Sequence, residues 1–308
     1  MAGGQERVLR RRIRSVQSTR KITKAMELIA ASRIVRAQAR IAANRPYRLG
    51  MERILRVTAA ADPAAAKKLL GTPEAPTRVG VLAVVGDRGL AGSYNSGVLR
   101  ATERLVAEHR RNGAEVTLWT VGKKAPGYFR YRGIETAHGF AGIADRPEFD
   151  DAREVAQVVT APFVAGDMDL VLMVSTRFVS AGTQRVETLQ MLPLPLPHEG
   201  TGEGGIDDLP TAAAPGTVGY TEFEPEPEKL LEVLAPRAAE SEIFSALLEG
   251  AASFFTAQQR AMAAATENAD ELVRTLTRVM NRARQDSITT EIMEIVGGAE
   301  ALRQAKGA

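Results

Sequence analysis

The segment with the clearest potential for chemistry spans residues 86–92, Gly-Asp-Arg-Gly-Leu-Ala-Gly, between an apolar run and a predicted helix. Nucleotide-binding loops lie at this place because a helix N-terminus offers unpaired backbone N–H groups to a phosphate. The glycine spacing here matches neither the dinucleotide-binding nor the P-loop pattern, and no lysine follows at the helix start. We therefore predict a tight strand-to-helix turn, in which Asp87 and Arg88 pair with each other or cap the turn.

Other residue types that carry catalysis or bind metals are sparse. The chain has no cysteine, which excludes disulfides, a thiolate zinc site and a cysteine nucleophile. His109, His138 and His198 are scattered, and no two have the spacing of helical metal ligands. No Ser/His/Asp set and no carboxylate pair can be assembled. The sequence thus predicts no catalytic residues, no metal and no cofactor.

Both ends of the chain have the pattern of a long coiled-coil helix. Steps of three and four give a period of 3.5, the spacing of a seam that twists around a partner helix. Neither helix could bury such a stripe alone, so we predict that the two pair as an antiparallel intramolecular coiled coil. The N-terminal stripe is Leu9, Ile13, Val16, Ile22, Met26, Ile29, Ile34, Ala37 and Ile41; the C-terminal one is Phe255, Gln258, Met262, Ala265, Ala269, Leu272, Leu276, Val279 and Ala283, and after a break of phase at residues 284–286 it resumes as Ile288, Ile292, Ile295, Ala299 and Leu302.

The central part of the chain alternates strand patterns with helix patterns. This order predicts a mostly parallel, Rossmann-like sheet with helices on its faces, so the fold class is α/β with a terminal coiled coil. A hairpin over residues 177–190, turning at Ala181–Gly182, adds an antiparallel edge. The predicted strands are 79–85, 115–121 and 169–175, and the predicted helices are 97–111 and 150–164.

Proline and glycine mark the boundaries between these parts. Pro46 is expected to end or kink the first helix, and Pro236 to end a short helix that precedes the long C-terminal one. The prediction divides the chain into an N-terminal coiled-coil helix (1–60), a linker (61–77), an α/β domain (78–192), a flexible Pro/Gly loop (193–219), a short strand and helix (220–236) and a C-terminal coiled-coil helix (237–308).

Charge is distributed unevenly along the chain. Residues 1–57 hold 15 Lys or Arg and three Glu, a net charge of +12, which leaves −9 for the rest because the whole chain carries +3. This pattern fits a solvated helix face, a nucleic-acid arm, a membrane-surface patch or a rod inside an acidic collar. No aromatic residue lies among the basic residues before Tyr47, which disfavours a single-strand stacking site. No apolar run is long enough to cross a bilayer, and the basic N-terminus is no secretory signal.

Five segments carry a resemblance to a known family. Residues 11–16 with 22–33 resemble the N-terminal signature of the γ subunit of F-type ATP synthases, and residues 87–95 resemble a loop of its middle domain. Residues 265–269 and 281–299 resemble its C-terminal signature. The absence of cysteine excludes the redox-regulated pair of the chloroplast form, so the chain is most similar to bacterial members.

The resemblance implies a rotor subunit without a catalytic site of its own. The coiled coil would be the shaft inside the α3β3 hexamer, and the α/β domain would be a foot that touches the ε subunit and the membrane c-ring. Hydrogen ion transport would turn the ring and shaft, so that ATP synthesis occurs on other subunits. The chain would lie peripherally at the cytoplasmic face of the bacterial cell membrane, without a transmembrane segment or a nucleic-acid partner.

The resemblance also implies contact residues. Met26 would lie at the level of an acidic lever of β, although a Met on an apolar stripe is often simply core. Positions 284 and 285 lie where the C-terminal seam loses its phase, so that polar side chains can face outward. The rotor–stator candidates are Lys24, Met26, Arg33, Arg284, Gln285, Thr289 and Glu294, and the foot-domain loop candidates are Asp87, Arg88 and Gly89.

Two other classes of function remain open from the residues alone. The first is a nucleic-acid-binding coiled-coil protein that uses the basic N-terminal helix. The second is a nucleotide-using enzyme with residues 86–92 as its phosphate site. Co-purification with α, β and ε would distinguish the rotor reading from both.

Overall fold

The computed structural model describes residues 2–62, 64, 75–194 and 222–306, with side chains described between residues 5 and 299. The chain divides into two compact units, the first formed by Met1–Ala30 with Gln258–Ala308 and the second by Ala31–Ala257. The helices are α1 (Ala2–Ala61), α2 (Tyr94–Arg111), α3 (Lys124–Tyr131), α4 (Phe149–Val164) and α5 (Pro227–Lys306), and the strands are β1 (Arg78–Val84), β2 (Glu115–Val121), β3 (His138–Phe140), β4 (Leu170–Phe178) and β5 (Gln184–Leu192).

The second unit contains a five-stranded sheet in the order β3-β2-β1-β4-β5. β1 lies parallel to β2 and β4, with Val81 opposite Leu118 on one side and Leu172 on the other. β3 is parallel to β2, and β5 returns antiparallel to β4. The predicted α/β class is therefore confirmed, together with the antiparallel edge formed by the last hairpin.

The sheet is buried on both faces because the side chains of β1 alternate between two apolar clusters. Val79, Val81 and Ala83 pack against α2 and α3. Leu82 and Val84 belong to the other cluster, to which α4 and the parts of α1 and α5 in this unit contribute. This division explains why β1 reads as an almost continuous apolar run rather than an alternating one.

The predicted helix end at Pro236 is not observed, because α5 continues through it; α1 likewise continues through Pro46, where the sequence predicted either an end or a kink. A proline inside a helix loses one backbone hydrogen bond. Here the turns that follow each proline are buried, with Leu49 after Pro46 and Ala238 after Pro236. Burial of these apolar positions compensates for the lost bond.

The segment before α5 differs from its prediction as well. Glu222 and Phe223 lie outside any strand, and one helix replaces the two that were expected on either side of Pro236. The rest of the predicted strand, at Tyr220 and Thr221, lies outside the described residues. So do residues 65–74 of the predicted linker and residues 195–219 of the predicted Pro/Gly loop.

Candidate functional site

In the first unit, α1 and α5 pair along a seam that contains polar side chains. The hydroxyl oxygens of Thr23 and Thr266 are 2.8 Å apart, and Arg20 Nε lies 2.5 Å from Asp270 Oδ1. The partner number on α5 falls as the number on α1 rises, so the helices are antiparallel as predicted. We call these parts of the two helices, residues 2–30 of α1 and 258–306 of α5, the helix pair.

The seam of α1 differs from the predicted stripe. Ile22 and Ile29 are 58% and 52% exposed, whereas Thr23 and Ala30 are buried. Ile13, Thr23 and Ala30 share one heptad register, in which positions 20 and 27 are polar. The prediction followed the largest apolar residues and therefore left this register. A strict count of three-four steps from Ile13 would have found it.

The seam of α5 matches its prediction more closely. Gln258, Met262, Ala269 and Leu276 are buried, and Ala265 is half-buried. Leu272 and Val279 are exceptions, because both are more than two-fifths exposed. The predicted resumption of the seam after residue 286 is wrong for the described residues. Beyond Ser287, every described side chain of α5 is exposed, including the large apolar ones Ile288, Ile292, Met293, Ile295 and Val296, because no part of α1 covers them.

The predicted rotor–stator candidates of the first unit lie largely on its surface. Lys24 is exposed, with Nζ 3.0 Å from Glu27 Oε1, and Met26 is half-buried. Among the described residues, no hydrogen bond or ion pair joins these two to the candidates on α5. The four candidates on α5, all exposed, are Arg284, Gln285, Thr289 and Glu294.

Arg33 lies in the second unit and is held by its neighbours there. Its guanidinium carbon is 5.3 Å from the ring centroid of Phe255, a cation–π contact. Its Nη1 lies 4.0 Å from Asp145 Oδ2, the same oxygen that lies 2.9 Å from Arg88 Nε. The structure therefore brings Arg33 and Arg88 together through Asp145, which the sequence did not predict.

These residues border a cleft of about 680 Å³ within the second unit. Five arginines and one aspartate contribute its charged lining, so the cleft is strongly electropositive. The sequence missed it because three of the arginines come from α1 and two from loops around the sheet. The charged lining residues are Arg33, Arg36, Arg40, Arg88, Asp145 and Arg146.

The loop of residues 86–92 is organised by two side chains. Asp87 Oδ1 accepts hydrogen bonds from the N–H groups of Lys123 and Gly142, at 3.1 and 2.8 Å, and Oδ2 accepts one from Ala144 N–H at 3.1 Å. Asn95 Oδ1 accepts from Gly86 N–H at 2.8 Å. The predicted Asp87–Arg88 pairing is wrong, since each side chain bonds elsewhere.

This geometry bears directly on the nucleotide-site hypothesis. A phosphate site needs several unpaired N–H donors that converge on one point. Here the N–H groups around the loop already donate to the Asp87 carboxylate and the Asn95 amide. An added anion would meet the negative charge of Asp87. The loop thus links the segments around residues 86, 123 and 142–144 at this edge of the sheet. At Gly89 there is room for a side chain, because an added β carbon would meet only Lys124, at 3.9 Å.

A small cavity of about 70 Å³ lies between α1 and α5 in the second unit. Asn44 Nδ2 donates to Ser245 Oγ at 2.8 Å, and Glu249 Oε2 accepts from Phe178 N–H at 3.0 Å. Burial raises the pKa of Glu249. Burial also raises the pKa of Glu242, which lies two helical turns earlier on α5. Both carboxyl groups therefore keep their protons to higher pH than a solvated glutamate does.

Neither a membrane-spanning helix nor a metal site is found in the residues that the structure describes. No helix there has the length and apolarity needed to cross a membrane. No group of His, Asp and Glu side chains in the same ranges could hold a metal ion.

Comparison with known proteins identifies the family. The family model described as ATP synthase matches residues 5–302. An ATP synthase gamma chain of Parafrankia sp. is 46% identical over 97% of this chain and 98% of its own length. The chain belongs to the ATP synthase gamma chain family. A gamma chain of Streptomyces coelicolor is 42% identical over 98% of both chains, which supports the bacterial resemblance.

Solved structures show that the gamma chain fold extends over almost the whole chain. A chain of the Euglena gracilis mitochondrial ATP synthase, in an OSCP/F1/c-ring structure, has a TM-score of 0.69 at 17% identity and covers 99% of this chain and 97% of its own. A chain of the Tetrahymena thermophila central stalk/c-ring structure has a TM-score of 0.60 at 23% identity, with coverages of 79% and 99%. At such identities the likeness concerns the fold.

Proposed function

We propose that this chain is the central-stalk rotor of a bacterial F-type ATP synthase. The helix pair turns inside the α3β3 hexamer, and the α/β domain, its foot, contacts the ε subunit and the c-ring. Rotation driven by hydrogen ion flow through the ring changes the catalytic sites of β in sequence. Membership in the gamma chain family is the observation that carries this proposal.

The helix pair has physical features that suit this role. Along part of its seam the buried side chains are small or short, namely Ala30, Ala269 and the Thr23–Thr266 pair, so the two helices can lie close together there. The larger and charged side chains, such as Lys24, remain outside the seam. A shaft that closes its own seam can slide past its surroundings through weak contacts, which no single angle favours strongly.

The chain has no catalytic role in this proposal. The loop of residues 86–92 uses its backbone donors internally, and ATP chemistry takes place on other subunits. The complex holds the chain at the cytoplasmic face of the cell membrane as a peripheral protein. A nucleic-acid function has no support from the relatives, which carry the name ATP synthase gamma chain.

The contact residues are part of the same proposal. Lys24, Met26, Arg284, Gln285, Thr289 and Glu294 face the α3β3 interior at successive rotary positions. Arg33 and Arg88 present the electropositive cleft to acidic segments of β at the base of the hexamer. Asp87 and Gly89 shape the foot-domain loop that carries Arg88.

Co-purification tests the assignment directly. The full chain with an affinity tag is expressed in a bacterium whose own gamma chain belongs to the same family. It should retain α, β and ε in stoichiometric amounts at physiological salt. The matched control is the same chain shortened back to Arg260, which loses the α5 half of the helix pair and should retain no α or β. Recovery of nucleic acid instead of these subunits would refute the rotor assignment.

A further inference from the structure

The outer surface of α2 and α3 carries a dense set of basic side chains that the rotor role does not explain. Both helices cover the sheet face opposite to α4, so this surface belongs entirely to the second unit. All its members are exposed. We call this set the basic face: Arg100, Arg104, Arg110 and Arg111 on α2, and Lys124, Arg130, Tyr131 and Arg132 on or next to α3.

The arginines of α2 form a ridge along the crest of the helix. Arg100, Arg104 and Arg111 follow one another at steps of four and seven, which places them on one side. Val98, Thr102 and Val106 occupy the opposite, buried side. The ridge therefore points directly away from the sheet. It cannot serve the packing of the domain.

Most of these charges have no ion-pair partner in the part of the protein that the structure describes. No carboxylate among the described residues forms an ion pair with Arg100, Arg104, Arg110 or Arg130 within 4.0 Å, whereas Glu103 is already bound. Glu103 Oε1 lies 2.6 Å from Arg132, and its Oε2 accepts a hydrogen bond from the Tyr128 hydroxyl at 2.6 Å. Glu103 is thus neutralised locally. The other acid of α2, the exposed Glu108, lies four residues after Arg104 and three before Arg111, and the basic face keeps a clear excess of basic over acidic side chains.

Tyr131 adds a second kind of recognition chemistry. Its side chain is 86% exposed, the largest exposure among the large apolar and aromatic side chains described. It lies one residue from Arg130 and from Arg132. An exposed tyrosine beside clustered arginines is the combination that binds the headgroup region of an anionic bilayer, where the ring has both apolar and polar surroundings.

We propose that the basic face is a docking surface for the anionic headgroups of the membrane. The inference rests on the proposed function, since that role keeps the foot beside a bilayer. Weak, rapidly exchanging contacts with phosphate groups would steady the foot without fixing its angle. Lipid fits better than nucleic acid because the face has one protruding aromatic side chain and no row of stacking rings.

Vesicle binding tests the charge of the face. The full chain, at physiological salt, should bind vesicles of phosphatidylcholine with about one-third phosphatidylglycerol and should not bind pure phosphatidylcholine. Arg104→Glu with Arg111→Glu should lower the partition coefficient at least ~10-fold, because each basic residue adds a several-fold gain at an anionic surface. The matched control is Arg11→Glu with Arg14→Glu on α1, which should change it less than ~3-fold. Equal losses in both variants would overturn the proposal.

The position of Tyr131 gives a local readout. In Tyr131→Trp, brominated lipids in the anionic vesicles should quench the new fluorophore. The only native tryptophan, Trp119, is buried and serves as the internal control in the parent chain, where quenching should be absent. An unquenched Tyr131→Trp chain on sedimented vesicles would mean that another surface binds, and would overturn the proposal.

The two proposals fail in different ways. The Arg104→Glu/Arg111→Glu chain should still co-purify with α, β and ε, because neither residue belongs to the helix pair. Loss of vesicle binding with retained subunits supports the lipid surface. Absence of vesicle binding by the parent chain, with the subunits retained, overturns only the lipid surface. Absence of the subunits overturns the rotor assignment itself.

Discussion

At the scale of single residues, side-chain oxygens accept hydrogen bonds from backbone N–H groups that are not paired within the sheet. Asp87 accepts three N–H groups from two separate loops, and Asn95 closes the start of the turn. Each buried N–H group needs an acceptor, and an anionic oxygen is a strong one. Burial can also cost stability: on α5 the carboxyl group of Glu242 is shielded from solvent, which disfavours its charged form and raises its pKa.

The raised pKa of Glu242 predicts a pH-dependent stability. Between about 4.5, the ordinary value, and the raised value, the folded state binds more protons than the unfolded state, so stability falls as pH rises. Glu242→Gln removes this loss. We expect Glu242→Gln to raise the free energy of unfolding by up to ~1 kcal/mol at pH 7 and to change it little below pH ~4.5.

Thermal melts of the full chain between pH 4 and pH 8 measure this effect. Glu232→Gln, at an exposed position of the same helix, is the matched control and should follow the parent at every pH. A Glu242→Gln curve parallel to that of the parent would show that the carboxyl group stays solvated.

A second prediction at this scale concerns two glycines near α3. Gly122 has φ +98°, and a β carbon there would lie 2.3 Å from the carbonyl oxygen of Val85. We expect Gly122→Ala to cost at least ~2 kcal/mol of stability. Gly127, inside α3 with open space around it, is the control, since Gly127→Ala should stabilise by ~0.5–1 kcal/mol. Urea denaturation measures both, and equal effects would contradict the assigned geometry.

At the scale of elements, the helix pair is held by a seam that mixes alanine with hydroxyl groups. Thr23 and Thr266 also reach backbone carbonyl oxygens of their own helices, at Arg20 and Met262. Each hydroxyl has one proton, so the two side chains share their donors among three possible bonds. Such a seam specifies which positions meet while it adds little width to the pair.

This arrangement predicts coupling between the two threonines. Thr23→Val or Thr266→Val alone should lower stability by about 1 kcal/mol, because one hydroxyl loses its partner across the seam. The double variant should be less unstable than the sum of the single variants by ~0.5–1.5 kcal/mol. Melting of helical circular dichroism in the full chain measures the cycle. Thr277→Val, whose hydroxyl bonds only within α5, is the control and should show no coupling to Thr23→Val.

At the scale of the whole molecule, two compact units share two continuous helices. No strand crosses from one unit to the other among the described residues, so α1 and α5 are the elements that link them. A torque applied to the second unit would therefore reach the first through these helices, which pass between the units without a break at residues 30–31 and 257–258.

The rotor proposal predicts how charge changes on the helix pair affect coupling. Met26→Lys adds a cation at a half-buried position and should create a new ion pair with the acidic lever of β at one angle. We expect the complex to assemble but its ATP-driven proton pumping to fall about tenfold, the effect of ~1.4 kcal/mol of extra binding at that angle. Lys24→Glu should have a smaller effect, because Lys24 already pairs with Glu27.

Inverted membrane vesicles allow pumping and ATP hydrolysis to be measured side by side. Lys229→Glu, an exposed charge reversal on the part of α5 in the second unit, is the control and should pump normally. Normal pumping in Met26→Lys, with the complex intact, would remove Met26 from the rotor–stator surface.

The sequence alone determined the fold class and the family. The apolar run of residues 79–85 has the length of a buried strand, and the alternation of such strands with helices predicted the α/β class. The terminal heptads predicted an antiparallel helix pair, because neither stripe could be buried alone. Local patterns suffice where burial has a strict period.

Only the tertiary structure decided which residues meet. Thr23 and Ala30 are buried instead of Ile22 and Ile29 because the partner helix sets the register of the seam. The positions of the largest apolar side chains indicate a different register, so the sequence pattern was misleading here. The cluster of Arg33, Arg88 and Asp145 joins positions more than fifty residues apart, a contact no local pattern encodes. Pro46 and Pro236 stay helical because the burial of neighbouring residues outweighs local propensity, and burial is a property of the folded chain.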